Sequence, residues 1–202
     1  MAEISQEAQQ TAEEAMGNDR KLEDLVDALQ ASSRRARQSA ASSLSYVARL
    51  HPDLMSPYSA QIVDALNCTE AQTRWECLDI LTLMVPKDAR LCEKALPGAE
   101  TALFDEESGF VCLAAMRFLC AYAATTENRS ERCWPLIEEA IQCYHGDVEF
   151  NDMLNAVDGF AAGKLSEHVR ESLIERMSFD AHNGKGALKR KAQAIIDNAQ
   201  RS

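Results

Sequence analysis

A period of 37 residues constrains the fold of this 202-residue chain more than any other feature. Two columns of small or apolar residues show it: Ala40, Cys77 and Ala114, and Leu44, Leu81 and Phe118. A repeat of this size is typical of stacked helical hairpins, because each hairpin buries its apolar face only against its neighbours. A later shift of 40 residues assigns Leu154 to the first column and Asp158 to the second. The repeat therefore predicts an all-α stack.

The composition agrees with a helical chain, and the net charge bears on the class of molecule that the chain can bind. There are only 8 Gly, 5 Pro and 6% aromatic residues, so strand formers and turn residues are scarce. Lys and Arg number 21 against 32 Asp and Glu, which gives a formal net charge of −11. Because such a charge repels phosphate backbones, it disfavours nucleic acid as a partner.

The seven cysteines predict packing residues and not a metal or disulfide framework. None forms a Cys-x-x-Cys pair, and Cys77 and Cys120 occupy columns that hold packing residues elsewhere. We therefore expect free thiols in a reducing compartment, with no metal and no cofactor. The start of the chain lacks a basic segment followed by an apolar run, and the longest apolar stretch, 110–124, contains Arg117. These features predict a cytoplasmic protein without a membrane span.

The chain is predicted to divide at residue 20. Residues 1–20 carry only a thin apolar stripe and are expected to form a marginal helix or a frayed tail. Residues 21–202 form the repeat domain, in which helices alternate in pairs; the first helix of each pair is called A and the second B. The predicted pairs span 21–31 with 34–50, Ser56 to Val85, 88–104 with 107–124, 130–144 with 148–163, and Ser166 to the end of a final B helix that begins near Gly186.

Local signals set the predicted helix boundaries. Thr69 and Gln72 form a capping box that starts the second B helix, and Pro86 is expected to end it. Pro97-Gly98 predicts a kink or a split in the third A helix. Ser130 is expected to act as the N-cap of the fourth A helix.

The B helices carry a family resemblance. The segments Arg37-x-x-Ala40-Ala41-x-x-Leu44 and Arg74-x-x-Cys77-Leu78-x-x-Leu81, with the period and the tight A-to-B turns, resemble HEAT repeats over about residues 21–200. Armadillo and other helical repeats stay open as alternatives. The resemblance implies a right-handed α-α superhelix of about five hairpins, with B helices on the concave side, that acts by binding.

The same resemblance implies a role for the basic residues at the start of the B helices. In the family, such a residue often pairs with an acidic residue of the preceding turn and forms an interrepeat ladder. Here Glu70 lies four residues before Arg74, and Arg37 occupies the same column as Arg74. A structural ladder is therefore expected, with ligand contact as the alternative.

No catalytic constellation is present in the sequence. The four histidines, at 51, 145, 168 and 182, lie apart from any nucleophile, and there is no phosphate-binding glycine loop. The chain is therefore expected not to be an enzyme.

Two regions leave alternatives open. The third B helix, 110–120, is apolar almost all round, so it is either covered by its neighbours or exposed as a binding patch. Residues 31–50 and the last eighteen residues are basic, which indicates a solvated face or a site for an acidic protein or a nucleic acid.

These observations predict an adaptor or scaffold that binds another protein through its concave surface and is a monomer or a weak homodimer. The predicted contact set, on adjacent B helices, is Trp75, Asp79, Met116 and Arg117. One alternative is a nucleic-acid-binding HEAT-like protein that uses the basic first and last B helices. A second alternative is an accessory protein of a lyase-like system.

Overall fold

The computed structural model describes residues 5–201, which form eleven α-helices and three 3-10 helices and contain no strand. The α-helices are α1 (Gln6–Met16), α2 (Asp19–Ala28), α3 (Arg34–Leu50), α4 (Ser59–Asp64), α5 (Ala71–Asp88), α6 (Leu96–Leu103), α7 (Gly109–Ala123), α8 (Glu127–Cys143), α9 (Phe150–Ala161), α10 (Glu167–Asn183) and α11 (Gly186–Arg201). The 3-10 helices are Pro52–Tyr58, Ala65–Asn67 and Ala89–Ala95. The predicted all-α fold is confirmed.

The predicted alternation of A and B helices matches the helix order. The B helices are α3, α5, α7, α9 and α11. The second and third A positions are not single helices, because 3-10 segments interrupt them before and after α4 and before α6. The chain packs as two compact units that divide inside α7, between Ala115 and Met116. They are called unit 1 and unit 2.

Helix α1 lies in the segment for which a marginal helix or tail is expected. Ser5 caps it by accepting a hydrogen bond from the backbone N–H of Ala8 at 3.3 Å. Its buried residues are Ala8, Ala12 and Ala15, which form one face, and the helix contacts α2 and α3. The stripe residue Ile4 lies outside the described residues, and the domain boundary at residue 20 stays a prediction.

Helix α5 differs from its predicted bounds at both ends. Its N-cap is Glu70 and not Thr69, and Glu70 makes no side-chain capping bond. The reason is that Arg37 holds the Glu70 carboxylate instead. Pro86 lies inside the helix, which continues to Asp88. Pro86 is exposed, so water can satisfy the carbonyl that its missing N–H leaves open.

The third A position is split as predicted. A 3-10 helix covers Ala89–Ala95, and α6 begins at Leu96, one residue before Pro97 in its first turn. A Cβ atom on Gly98 would lie 3.1 Å from the Leu66 side chain. The small residue therefore lets α6 approach the Ala65–Asn67 segment closely.

The apolar B helix α7 is covered along most of its length. Residues 111–116 are buried, and Leu113, the most exposed of them, has 5% of its surface accessible. Only Phe110, at the start of the helix, keeps a large apolar exposure of 65%. An apolar patch along the whole helix is therefore absent, and Phe110 alone is available to a ligand.

The fourth A helix, α8, begins earlier in the chain than the sequence predicts. The N-cap of α8 is Thr126, whose hydroxyl accepts from Arg129 N–H at 3.3 Å, and not Ser130. Ser130 is fully buried one turn later. Its hydroxyl donates to the Glu127 carbonyl at 2.7 Å and accepts from the backbone N–H of Ser166 at 3.1 Å. Ser130 therefore joins α8 to the start of α10.

The predicted column register in α9 is wrong by one residue. Val157 is fully buried and continues the second column, whereas Asp158 is partly exposed and bonds Asn198 of α11 at 2.9 Å. The repeat is therefore one residue shorter at this point than the sequence columns indicate. Phe160 packs against Trp134, with ring centroids 6.2 Å apart.

The turn into α10 depends on Gly163. A Cβ atom there would lie 2.5 Å from the Ala124 side chain, and the next residue, Lys164, donates its N–H to the Ala124 carbonyl at 2.8 Å. Ser166 then caps α10 through Val169 N–H, as predicted. A larger residue at position 163 would break this close approach.

Candidate binding surface on the B helices

The basic residues at the start of α3 and α5 form an interrepeat ladder. Arg37 donates two hydrogen bonds to Glu70, one of them from Nε at 3.3 Å, and a third to the Ala31 carbonyl at 2.6 Å. The hydrogen bond from Arg37 lowers the pKa of Glu70 below its ordinary value. Glu70 thus pairs across the repeat with Arg37, and not with Arg74 within its own helix.

The second step of the ladder repeats this geometry. Arg74 donates to Asp105 at 2.5 Å, and both side chains are only 14% exposed. Burial by itself would raise the pKa of Asp105, but the hydrogen bond from Arg74 holds it below its ordinary value. Because each arginine is committed to a carboxylate, the ladder is structural.

A buried acidic group lies between α3 and α5. Glu76 and Asp79 of α5 are 3% and 5% exposed. Oε1 of Glu76 accepts from the Ser42 hydroxyl of α3 at 3.4 Å, and Ser42 in turn accepts from Gln72 Nε2 at 3.0 Å. Oε2 of Glu76 is buried and has no hydrogen-bond partner in the described protein. We call Ser42, Gln72 and Glu76 the Glu76 cluster.

The electrostatics of the Glu76 cluster favour a neutral acid. Burial raises the pKa of Glu76, and the negative charge of Asp79 raises it further. The Ser45 hydroxyl and the positive charge of Arg49, both from α3, oppose this shift without cancelling it. Glu76 therefore holds its proton to a higher pH than an exposed glutamate does.

An aromatic pair stands beside this acidic group in unit 1. The rings of Trp75 and Phe110 lie 5.4 Å apart at their centroids, tilted by 46°. Trp75 is partly exposed and precedes Glu76 in the chain, and it lies one turn before Asp79 on the same face of α5. Aromatic surface and carboxylates next to each other can bind the stem and the charge of a cationic side chain.

The predicted contact residues differ in exposure. Trp75 and Arg117 are partly exposed, whereas Asp79 is 5% exposed and Met116 is fully buried. Trp75 and Asp79 belong to unit 1, and the other two belong to unit 2. The set as a whole stays a prediction. Sequence reasoning missed Glu76, because its partner Ser42 comes from another helix, 34 residues earlier in the chain.

The polar contacts of unit 2 join helices to one another. Glu131 of α8 accepts from the Ser166 hydroxyl at 2.5 Å and lies 3.3 Å from Nδ1 of His168. The His145 ring lies 3.0 Å from the buried Asp180 carboxylate. An open pocket of about 600 Å³ is lined by Thr126, Glu127, Asn128, Gly163, Lys164, Leu165 and Arg170. The contact in which a carboxylate meets a serine hydroxyl, Glu131 with Ser166, involves the residue that caps α10 through Val169 N–H.

The cysteines pack as the columns predict. None of the seven cysteines forms a disulfide within residues 5–201, and five of them are buried. Burial raises the pKa of Cys77 and Cys120, and it raises the pKa of Cys133 to about 11. Within residues 5–201 no three His, Cys, Asp or Glu side chains are grouped as metal ligands would be. None of the helices in that range combines the length and apolar character needed to cross a bilayer.

Comparison with solved structures supplies the fold type. An engineered protein superposes with a TM-score of 0.75 at 14% identity, covering 96% of this chain and 89% of its own. A designed armadillo repeat protein in complex with the peptide (KR)4 superposes with a TM-score of 0.74 at 14% identity, covering 95% of this chain and 91% of its own. The archaeal HEAT-like repeats protein from Thermococcus onnurineus NA1 superposes with a TM-score of 0.57 at 12% identity, covering 98% of this chain and 94% of its own.

Comparison of the sequence with protein families and curated proteins finds no relative. No sequence-family profile matches the chain, and no curated protein does. The structural matches, all of low identity, show the fold alone. The chain has the all-α repeat fold of armadillo and HEAT-like proteins.

Proposed function

We propose that this protein is a non-enzymatic interaction module that binds an extended, basic segment of a partner protein on the B-helix surface of unit 1. The surface consists of the exposed parts of α3 and α5 together with Trp75 and Phe110 at its edge. The proposal also assigns the protein to the cytoplasm, where cysteines without disulfides stay reduced, as a monomer or weak homodimer.

The observation that carries the proposal is the partly exposed aromatic pair Trp75 and Phe110. Phe110 is 65% exposed and rests against Trp75, so it offers apolar surface that its own fold leaves open. Glu76 and Asp79 follow on the same helix. A lysine or arginine side chain fits such a surface, because its aliphatic stem packs on aromatic rings whose faces also attract its charge.

Charge supports a basic partner and not an acidic one. The chain carries a net charge of −11, which attracts cationic segments over a distance and repels nucleic acid. One of the similar folds, the designed armadillo repeat protein, is in complex with the peptide (KR)4. A repeat fold of this type is thus compatible with a ligand of alternating lysine and arginine.

Of the predicted contact residues, Trp75 is the anchor of this surface, and Arg117 is the other partly exposed member. Asp79 and Met116 are buried, so neither offers surface to a ligand. Trp75 and Phe110 are the proposed contact residues of unit 1, and the predicted contacts of Met116 and Arg117, which belong to unit 2, stay predictions.

The test is fluorescence anisotropy with a labelled (KR)4 peptide titrated with the purified chain. We expect saturable binding that Phe110→Ala weakens roughly tenfold, since burial of an aromatic side chain contributes on the order of 1.5 to 3 kcal/mol. The matched control is Phe179→Ala in unit 2, which removes a phenylalanine of similar exposure, 70%. It should leave the affinity unchanged.

Nonspecific attraction between opposite charges predicts a different result. The peptide would then bind wild type, Phe110→Ala and Phe179→Ala with equal affinity, and salt would weaken all three alike. Equal affinities, or no binding of (KR)4 at all, would contradict the proposal.

A further inference from the structure

The pocket of about 600 Å³ in unit 2 lies where the start of α8 meets the turn into α10. We call it the α8–α10 pocket. Several of its lining residues, among them Thr126, Asn128 and Lys164, are exposed, so the pocket is open to solvent. Its volume falls within the range of about 300 to 1,000 Å³ that is typical of small-molecule sites.

Arg170 of α10 lines this pocket with a guanidinium that has no acidic partner. Its Nη2 donates to the Leu165 carbonyl at 3.4 Å, and its Nε donates to no group within residues 5–201. Arg176, six residues later on the same helix, instead pairs with Glu138 at 2.9 Å. Because Arg170 is partly buried and a buried charge is costly without a counter-charge, its free donors favour an anion as ligand.

Lys164 supplies a second positive charge to the same pocket. Its backbone N–H donates to the Ala124 carbonyl at 2.8 Å, and a Cβ on Gly163 would lie 2.5 Å from the Ala124 side chain, so the turn is held closely. The Lys164 side chain is exposed and forms no ion pair in the described part of the chain. The fold therefore sets the position of Lys164, and its ammonium remains available.

The other lining groups also suit an anion. The Thr126 hydroxyl accepts from the Arg129 N–H at 3.3 Å, which leaves its own hydrogen to donate. Glu127 is the one acid that lines the pocket, and no ion pair between it and Lys164 or Arg170 is formed among the described residues. Two cations against one acid make the pocket positive in a chain whose net charge is −11.

We infer that the α8–α10 pocket binds a phosphate group, either free or carried by a small molecule. The guanidinium of Arg170 offers donors in a planar fork that matches two phosphate oxygens, and the flexible stem of Lys164 brings its ammonium to a third. A carboxylate has only two oxygens for these donors. The site belongs to unit 2, so the inference does not depend on the function proposed for unit 1.

The experiment is a nuclear magnetic resonance titration of the ¹⁵N-labelled chain with inorganic phosphate and, separately, with glycerol 3-phosphate. Sodium chloride at matched ionic strength is the reference, because it screens charges without filling the site. We expect saturable shifts of the backbone amides of 126–128 and 163–170 with both phosphates and not with chloride. Tighter binding of glycerol 3-phosphate identifies a phosphate ester as the ligand, whereas tighter binding of inorganic phosphate identifies the free ion.

Substitutions in the pocket should change the affinity for inorganic phosphate in opposite directions. Arg170→Gln should weaken binding roughly tenfold, since a charged hydrogen-bond pair is lost. Lys164→Gln should weaken it by a smaller factor, because an exposed ammonium stays hydrated. Glu127→Gln should strengthen it, since the acid of the pocket is removed. The last two residues are exposed, so their replacement should leave the fold intact.

Two matched controls change the net charge equally but lie outside the pocket. Arg176→Gln is on α10 and Glu139→Gln is on α8, and both should bind phosphate as wild type does. Shifts that chloride reproduces, shifts that do not saturate, or equal losses in Arg170→Gln and Arg176→Gln would overturn the inference. The titration of wild type decides the question even if Arg170→Gln does not fold.

Discussion

Units 1 and 2 hold their repeats together by different contacts, although both are built from the same helix pairs. In unit 1 an arginine at the start of each B helix reaches forward to an acid before the next one, as Arg37 does to Glu70 and Arg74 to Asp105. In unit 2 the links run mainly between A helices, through Ser130 with the N–H of Ser166 and through Arg176 with Glu138 at 2.9 Å.

The difference affects what each unit can bind. A ladder at the start of the B helices leaves the rest of α3 and α5 free to carry Glu76 and Trp75. In unit 2 the exposed polar groups of α8 and α10 are used to join the two helices, as Glu131 is by Ser166 and His168. The features on which the proposed function rests therefore lie in unit 1.

The largest expected effect comes from the cores, where the units should behave alike. Leu81→Ala in unit 1 and Leu154→Ala in unit 2 each remove a fully buried side chain. Each should lower the free energy of unfolding by about 2 to 5 kcal/mol, since the lost contacts leave a cavity. Urea unfolding followed by circular dichroism measures this. A cost below about 1 kcal/mol in either variant would contradict the assigned core.

The ladder should be the next most costly feature to break, and only in unit 1. Asp105→Asn leaves Arg74 half-paired at a site where both side chains are 14% exposed. We expect a loss of about 1 to 3 kcal/mol. The control Arg90→Met breaks an exposed pair, in which Arg90 is 82% exposed, and should cost less than about 0.5 kcal/mol. Equal losses would show that the ladder is no stronger than a surface ion pair.

In unit 2 the corresponding weak point is the start of α10. Ser166→Ala removes the N-cap hydroxyl and its bond to Glu131. The expected cost is about 0.5 to 2 kcal/mol, measured by thermal unfolding. Thr126→Ala, which removes the N-cap of α8, is the comparison within the same unit. If Thr126→Ala lowers the stability and Ser166→Ala does not, the link from α8 to α10 does not stabilise unit 2.

The smallest expected effect concerns Glu70 and Glu76, which lie six residues apart. Their contributions to stability should change with pH in opposite directions. Hydrogen bonding to Arg37 lowers the pKa of Glu70, so its stabilisation is present above the unfolded pKa and is lost as the pH falls through the folded value. Burial raises the pKa of Glu76, so its contribution is present below the unfolded pKa and is lost as the pH rises through the folded value.

Urea unfolding between pH 3 and pH 8 measures the contributions of Glu70 and Glu76 to stability. Glu70→Gln should destabilise the protein most at neutral pH, whereas Glu76→Gln should stabilise it at neutral pH relative to wild type. Both differences should shrink as the pH falls toward the range in which the wild-type carboxyl groups become protonated. The same sign for both variants at neutral pH would contradict the assigned environments.

The sequence predicted the order of the helices because their periodicity is local and repeats. The Ser166 cap and the break beside Pro97 are also local, and both were predicted. The errors arose where a contact with a distant residue overrides the local signal. Glu70 replaces Thr69 as N-cap because Arg37 binds it, and Ser130 is buried because it meets Ser166.

The binding surface was predicted less completely for the same reason. Trp75 was identified because an aromatic in a mixed column is visible in the sequence. Glu76 was missed because a glutamate in a helix is usually exposed, and its burial depends on Ser42 of another helix. Phe110 was taken as part of an apolar helix, and only the structure separates it from its buried neighbours.

The ladder also bears on how this chain tolerates changes in length. Arg37 and Glu70 are 33 residues apart and Arg74 and Asp105 are 31 apart, yet each arginine closes the same kind of contact. The two-residue difference is absorbed in the turns and in the A segments, which are already broken into short 3-10 and α pieces. Natural insertions and deletions should therefore accumulate between B helices, whereas one inserted residue inside α3 or α5 would rotate its buried face by about 100° and unfold the repeat.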